Sequence, residues 1–331
     1  MQDINTNDVS DTSQKTSQYE VSAFYQFAPL PNYQEVKEPI EALCALHHIT
    51  GIILLADEGI NGTIAGCPDV MAHICAQIGV ITGLKHIEHK ISHAHKKPFL
   101  RMKVRLKKEI VTIGDKSVDP LARVGTYVEA QDWNALISDP DVIVIDTRND
   151  FEVSIGAFKG AVDPKTRSFS EFPDYVRKTL DPQKHKKVAM YCTGGIRCEK
   201  ATSFMLQAGF GDVYHLKGGI LKYLEEVPQT QSLWEGSCFV FDRRVGVEHN
   251  LVTSELVACR GCRAPLTVED LQSPLQEEGV CCVHCSRIFS ESRKETARVR
   301  YRQVQLAAKR GEQHIGPDTR SAMRKKMQER G

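Results

Sequence analysis

No apolar run in this 331-residue chain approaches the ~20 residues that a membrane-spanning helix needs, so a membrane protein is not expected. The opening stretch MQDINTNDVSDTSQKTSQ lacks both the basic start and the apolar centre of a secretion signal. Residues 1–18 therefore read as a disordered leader, and the expected compartment is the cytoplasm. A reducing compartment disfavours a disulfide framework, so the eleven cysteines read as thiols or metal ligands. Also missing are a flavin or nicotinamide fingerprint and a defensible two-His-one-carboxylate iron set.

What is present is the composition of a soluble globular protein, 41% hydrophobic and 26% charged, in a chain long enough for two or three domains. The net charge of +1 conceals an asymmetry. Ser286 to Gly331 holds thirteen Lys and Arg against five Asp and Glu, which makes this tail +8 and the remainder −7. Lys85 to Lys108 is a second basic stretch, with nine Lys and Arg and the single acid Glu88. Such stretches suit phosphate backbones, because binding releases condensed counterions; they equally suit a solvated surface.

Hydrophobic periodicity predicts a strand over Tyr19–Phe27, a helix over Tyr33–His48 and a buried strand over Gly51–Ala56. In EGINGTIAG, Asn61–Gly62 lies between apolar pairs and predicts a hairpin turn. A further strand, a helix after Pro68 carrying Val70, Ile74 and Ile78, and a last strand through Phe99, Met102, Val104 and Leu106 complete the order βαββαβ. That order is ferredoxin-like or acylphosphatase-like, an α+β sandwich over residues 19–115 that can bind RNA but need not. From residue 123 to 228 the pattern changes to short apolar runs (Val142–Asp146, Val188–Tyr191, Val213–Leu216) alternating with helices (Tyr175–Leu180, Glu199–Ala208, Ile220–Glu226). This is an α/β domain with a parallel sheet, whose site belongs at the carboxyl ends of the strands.

At such an end stands CTGGIRCEKA. Cys192 follows a strand, Gly194 and Gly195 let the backbone turn its N–H groups inward, and the next helix is expected just after Arg197. Inward amides, a helix N-terminus and a guanidinium favour negative charge, which predicts a readily ionised, nucleophilic Cys192. The active-site loop is Thr193, Gly194, Gly195 and Ile196, with Arg197 closing it. Cys198, six residues beyond Cys192, reads either as a resolving thiol or as a packed one.

The blocks VIDTRNDFEVSIGAFKGAV, YCTGGIRCEKA and VYHLKGGILKYL resemble the signature blocks of a rhodanese-like domain. That resemblance implies that Cys192 accepts sulfur as a persulfide. Four residues separate Cys192 from Arg197, whereas the similar rhodanese-fold phosphatases carry one more, so sulfur is favoured over phosphate. Asp146 and Arg148 read as supporting residues, tying the loop through charge-assisted hydrogen bonds or simply forming a salt bridge. With DEGINGTIAG and WEGSCFVFDRRV added, most of the chain resembles the bacterial tRNA uridine(34) hydroxylases. This implies oxygen-dependent conversion of the wobble uridine to 5-hydroxyuridine, with tRNA as partner, O2 as co-substrate and Cys192 required. A persulfide-carrying sulfurtransferase and a non-catalytic binding scaffold are the alternatives.

Residues 229–290 form a small Cys-rich segment. Cys259 and Cys262 (CRGC) are followed after nineteen residues by Cys282 and Cys285 (CVHC), the spacing of a four-cysteine structural zinc site. Cys281 or His284 could replace a neighbour as ligand, or the thiols could pack without metal. Residues 291–331 are a basic tail, helical in composition to Gly311, expected to be flexible and able to fold on nucleic acid or merely to keep the chain soluble. The oligomeric state is not legible.

Overall fold

Strand β1 (Tyr19–Phe27) alternates its side chains between a helix-covered face carrying Phe24 and an opposite face carrying Val21 and Tyr25, and the rest of the first domain is built around it. The computed structural model describes residues 18–85 and 87–311; all of the expected leader but Gln18, and positions 312–331 of the basic tail, lie outside the described residues. After β1 come α1 (Lys37–Leu46), β2 (Thr50–Ala56), β3 (Gly59–Gly66), α2 (Pro68–Thr82), β4 (Glu88–Ala94) and β5 (Met102–Leu106). The sheet order is β4-β1-β3-β2-β5, with β5 parallel to β2 and the other pairs antiparallel. Ile40 and Cys44 of α1 and Ile74 and Ile78 of α2 bury against Ile53, Leu55, Ile60 and Ile64, so both helices cover one face.

Two expectations need correction. The hairpin turn is Asp57–Glu58, since Ala56 pairs with Gly59, and it is Gly59 that takes the positive φ of 139°. Asn61 and Gly62 lie inside β3, where Asn61 Nδ2 donates to the Ile110 carbonyl at 3.0 Å and a Cβ on Gly62 would come within 2.8 Å of the Phe24 ring. The Asn-Gly pair thus serves close packing across the sheet. The sixth element of βαββαβ is β4, hidden in sequence by its charges; the strand through Met102 and Val104 is an added edge.

The second domain holds β6 (Thr126–Val128), α3 (Ala130–Ile137), β7 (Val142–Asp146), α4 (Asp150–Val153), β8 (Gly156–Phe158), α5 (Phe172–Thr179), β9 (Lys187–Tyr191), α6 (Ile196–Gln207), β10 (Asp212–Leu216) and α7 (Gly219–Glu226). Its four-stranded sheet, β6-β10-β9-β7, is entirely parallel. Val144 faces Trp133 of α3 and Tyr223 of α7, while its neighbour Ile145 faces Phe172 of α5 and Met205 of α6, so both faces are covered.

The chain beyond Val227 continues this core. Strand β11 (Trp234–Gly236) pairs with β8, and Trp234, Cys238 and Val247 pack among the same apolar residues. Short hairpins follow: β12 (Cys238–Phe239) with β13 (Gly246–Val247), then β14 (Val257–Ala258) with β15 (Pro265–Leu266). Helix α8 (Val268–Gln272) precedes the last cysteines, and α9 (Glu291–Lys309) starts the basic tail. Ser290 caps α9, and Arg298 ties it to Glu277 at 2.6 Å. No helix among the described residues is long and apolar enough to cross a membrane.

Candidate active site around Cys192

Strand β9 ends at Tyr191 and delivers Cys192 to the carboxyl end of the sheet, where the chain must reverse direction into α6. Gly195 makes that reversal at φ 100° and directs its N–H to Cys192 Sγ at 3.1 Å. The helix begins at Ile196, so Arg197 lies in its first turn rather than ahead of it. The start of α7 closes the other side: Ile220 N–H donates to the Cys192 carbonyl at 3.0 Å and Leu221 N–H to the Thr193 carbonyl at 3.1 Å. Only glycine fits at 219, because a Cβ there would stand 2.5 Å from the Cys192 carbonyl oxygen.

Cys192 is 1% exposed. Burial pushes its thiol pKa up, but the Cys198 thiol, the Arg197 guanidinium and the N–H groups of Cys198 and Arg197 outweigh burial and bring it down to about 6. Cys198, raised well above an ordinary thiol by burial and by Cys192, remains protonated; its sulfur also lies 3.6 Å from Thr147 Oγ1. The loop therefore holds one thiolate and one thiol six residues apart.

Arg197 is fixed by Glu152, through Nη1 at 2.8 Å and Nη2 at 2.6 Å. Burial opposes ionisation of Glu152, yet Arg197 holds its carboxyl below the ordinary range. Glu152 also accepts from Asn149 N–H at 3.1 Å in a capping box and from Thr193 Oγ1 at 3.4 Å. Glu152 therefore joins the site residues expected from the sequence, and its sequence signal is the Asn149-x-x-Glu152 spacing of the capping box. Asp146 and Arg148 form a fully buried bidentate pair beneath it, with Arg148 donating onward to the Glu152 and Gly156 carbonyls at 3.2 and 2.6 Å. Neither touches Cys192; they act on the loop through the backbone of Glu152.

The first domain covers the site. Tyr25, at the end of β1, donates to Glu199 Oε1 at 2.9 Å, and Tyr127 of β6 donates to Glu199 Oε2 at 2.7 Å. A Cβ on Gly195 would meet the Tyr25 hydroxyl at 2.8 Å, so Tyr25 lies directly on the cysteine loop. Tyr25 and Glu199 meet across the domain boundary, and no local pattern marks that pairing.

At the far end, Cys259, Cys262, Cys282 and Cys285 bring their sulfurs within 4.8 Å of one another. The pairs 259–285, 262–282 and 282–285 stand at 3.9, 3.7 and 3.8 Å. Four thiolates at about 2.3 Å from a tetrahedral ion lie about 3.8 Å apart, so these residues fit a metal ion. Cys281 Sγ points to the Leu275 carbonyl and His284 to Asp270, so neither joins the set.

Residues 19–110 match the UPF0176 acylphosphatase like domain, and residues 129–226 match the rhodanese-like domain. The chain is 56% identical over 299 residues to the tRNA uridine(34) hydroxylase of Sinorhizobium fredii, covering 90% of this chain and 95% of that protein. It is 56% identical over 309 residues to the protein of the same name from Rhizobium etli, covering 93% and 100%. A third, from Brucella ovis, is 54% identical over 90% of this chain and 98% of its own length. With both domains and the Cys192 loop inside the matched length, the chain belongs to the tRNA uridine(34) hydroxylase family.

Proposed function

We propose that this protein hydroxylates the wobble uridine of tRNA at C5, giving 5-hydroxyuridine, with O2 as co-substrate and Cys192 as the reactive thiol. The observation that carries the reading is identity above half, sustained across nearly the whole length of relatives that bear that activity as their name. One oxygen atom enters the new C–OH, and the other leaves as water, which requires two electrons and two protons from a donor outside the motifs of this chain. Arg197 and the loop amides keep Cys192 ionised, Glu152 holds Arg197, and Asp146 and Arg148 position Glu152. The substrate places the protein with tRNA in the cytoplasm. Arg101, just ahead of β5, and Lys103 and Arg105 within it alternate with buried Val104, and Arg263 of the cysteine segment adds its charge there, a surface suited to phosphates. Zinc, held by Cys259, Cys262, Cys282 and Cys285, would serve as a structural ion for that segment.

The test is nucleoside mass spectrometry of tRNA from cells lacking the protein, complemented with the intact chain or with Cys192→Ala. Loss of oxygenated wobble uridine, restored only by the intact chain, is expected. Loss of thiolated nucleosides instead would make the protein a sulfurtransferase, the reading to which the four-residue loop otherwise lends itself. Full rescue by Cys192→Ala would leave the rhodanese-like domain as a scaffold.

A further inference from the structure

Between the two domains lies a cleft of about 330 Å³ whose wall includes Tyr25, the residue that lies on Gly195 of the cysteine loop. Tyr25 and Lys90 line it from the first domain; Tyr127, Glu199, His215 and Gly218 line it from the second. It sits at the end of β10, beside the end of β9 that presents Cys192, and Gly218 precedes the glycine packed on the Cys192 carbonyl.

Tyr127 is the unusual residue here. It is 47% exposed, yet it is held at both ends of its surroundings: its hydroxyl is bonded to Glu199, and its ring lies 4.3 Å from His215. Burial keeps His215 neutral, with its pKa pushed down to about 4. An immobilised aromatic ring with an open side, backed by a neutral ring, is a stacking platform for a nucleobase. Lys90 Nζ hangs 5.2 Å above the Tyr25 ring with no acid at ion-pair distance among the described residues. Each Glu199 oxygen accepts one tyrosine hydroxyl and keeps acceptor capacity to spare. The charges are mixed, Glu88 and Glu199 against Lys90 and Lys217, which suits a neutral polar ring better than a phosphate.

We propose that this cleft receives the target base itself, stacked on Tyr127, with its Watson–Crick edge read by Lys90 and Glu199. The inference rests on the hydroxylase reading and names its base-binding subsite. Uracil offers a carbonyl at C4 and an N3–H; an ammonium supplies only donors and a carboxylate only acceptors, so the pair matches uracil. Cytosine presents an amino group and a bare N3 at the same places, and both would be opposed.

The experiment uses the full chain and anticodon stem-loop RNAs carrying uridine, cytidine or an abasic site at position 34. The intact protein is expected to prefer uridine over both. Tyr127→Ala is expected to weaken binding of the uridine RNA by about 5-fold to about 150-fold, the range for losing one base–aromatic stack, and to abolish its advantage over the abasic RNA. Tyr127→Phe keeps the ring and is expected to keep that advantage. An unchanged preference in Tyr127→Ala overturns the proposal. As a variant-free check, 4-thiouridine at position 34 is photocrosslinked to the intact chain and the joined peptide is sequenced. Attachment at Tyr25, Lys90 or Tyr127 supports the subsite, and attachment only outside the cleft overturns it. Failure of the hydroxylase reading is seen separately, as unchanged wobble nucleosides in cells lacking the protein.

Discussion

Arg197 and Glu152 meet through two parallel hydrogen bonds of 2.8 and 2.6 Å, both side chains buried, so the cation nearest the reactive thiol is itself half-neutralised by a carboxylate. The pair fixes the guanidinium in place and moderates the field it exerts on Cys192. Glu152→Gln keeps the shape and removes the charge. It is expected to cost about 3–5 kcal/mol in chemical denaturation, because it leaves a buried guanidinium unpaired. The same change strengthens the net positive field at Cys192, so thiolate absorbance should titrate at a lower pH than in the intact protein. A higher midpoint would mean that Glu152 acts on Cys192 by some route other than Arg197.

Ionisation of Cys192 also makes stability depend on pH. Its pKa falls from an ordinary 9.0 to about 6 on folding, so the unfolded chain binds the proton more tightly. The thiolate's contribution is therefore fully present above about pH 9 and is lost as pH falls through about 6. Melting temperatures of the intact protein and of Cys192→Ala are expected to diverge as pH rises from 6 to 9, with the intact protein gaining. Parallel curves would contradict a thiolate in the folded loop.

The parts of the site that were legible in sequence are those set by local chemistry. Cys192, the two glycines and Arg197 are contiguous, and buried strands such as Val142–Asp146 and Lys187–Tyr191 declare themselves as short apolar runs. Glu152 was readable in principle, since its capping spacing from Asn149 is local. Tyr25 and Glu199 were not, because their meeting depends on how one domain docks on another, 174 residues apart in the chain. Strand β4 is hidden for a related reason: at the sheet edge Glu88, His89, Lys90 and His93 fill four of its seven positions, so no apolar alternation marks it. At Asn61–Gly62 a strong local turn signal lost to packing against Phe24 and Ile110.

The four-cysteine cluster makes a separate prediction. The segment from Val257 to Phe289 buries little besides its own cysteines, Leu266 and Val280, so a bound ion would supply much of its stability. Freshly purified protein is expected to contain one zinc per chain by mass spectrometry. Cys262→Ser should lower that occupancy, and chelation should make this segment sensitive to protease while the rhodanese-like domain stays resistant. Protein purified without zinc would show instead that the thiols pack alone.

Lys200 tests whether domain docking seals the thiol. It projects from α6, 1% exposed, and its ammonium reaches Glu58 at 2.8 Å and Glu109 at 2.6 Å, both belonging to the first domain or its exit. Those carboxylates also hold the backbone, Glu58 accepting from Ile110 N–H at 2.6 Å and Glu109 from Ile113 N–H at 3.1 Å. Lys200→Met keeps the length of the side chain, removes the charge and leaves two acids facing each other. Both acids reach some water, so a loss of about 3 kcal/mol is expected, the lower end for breaking a buried pair. The functional consequence follows from Tyr25, which is carried by the same domain and lies on Gly195. If docking is what buries Cys192, loosening it should raise the rate at which iodoacetamide alkylates that thiol by about tenfold or more, since reactivity follows thiolate exposure. Reduced stability with unchanged alkylation would place the barrier within the loop itself, in the contacts of Gly195 and Gly219, and the first domain would then serve to bind substrate without guarding the cysteine.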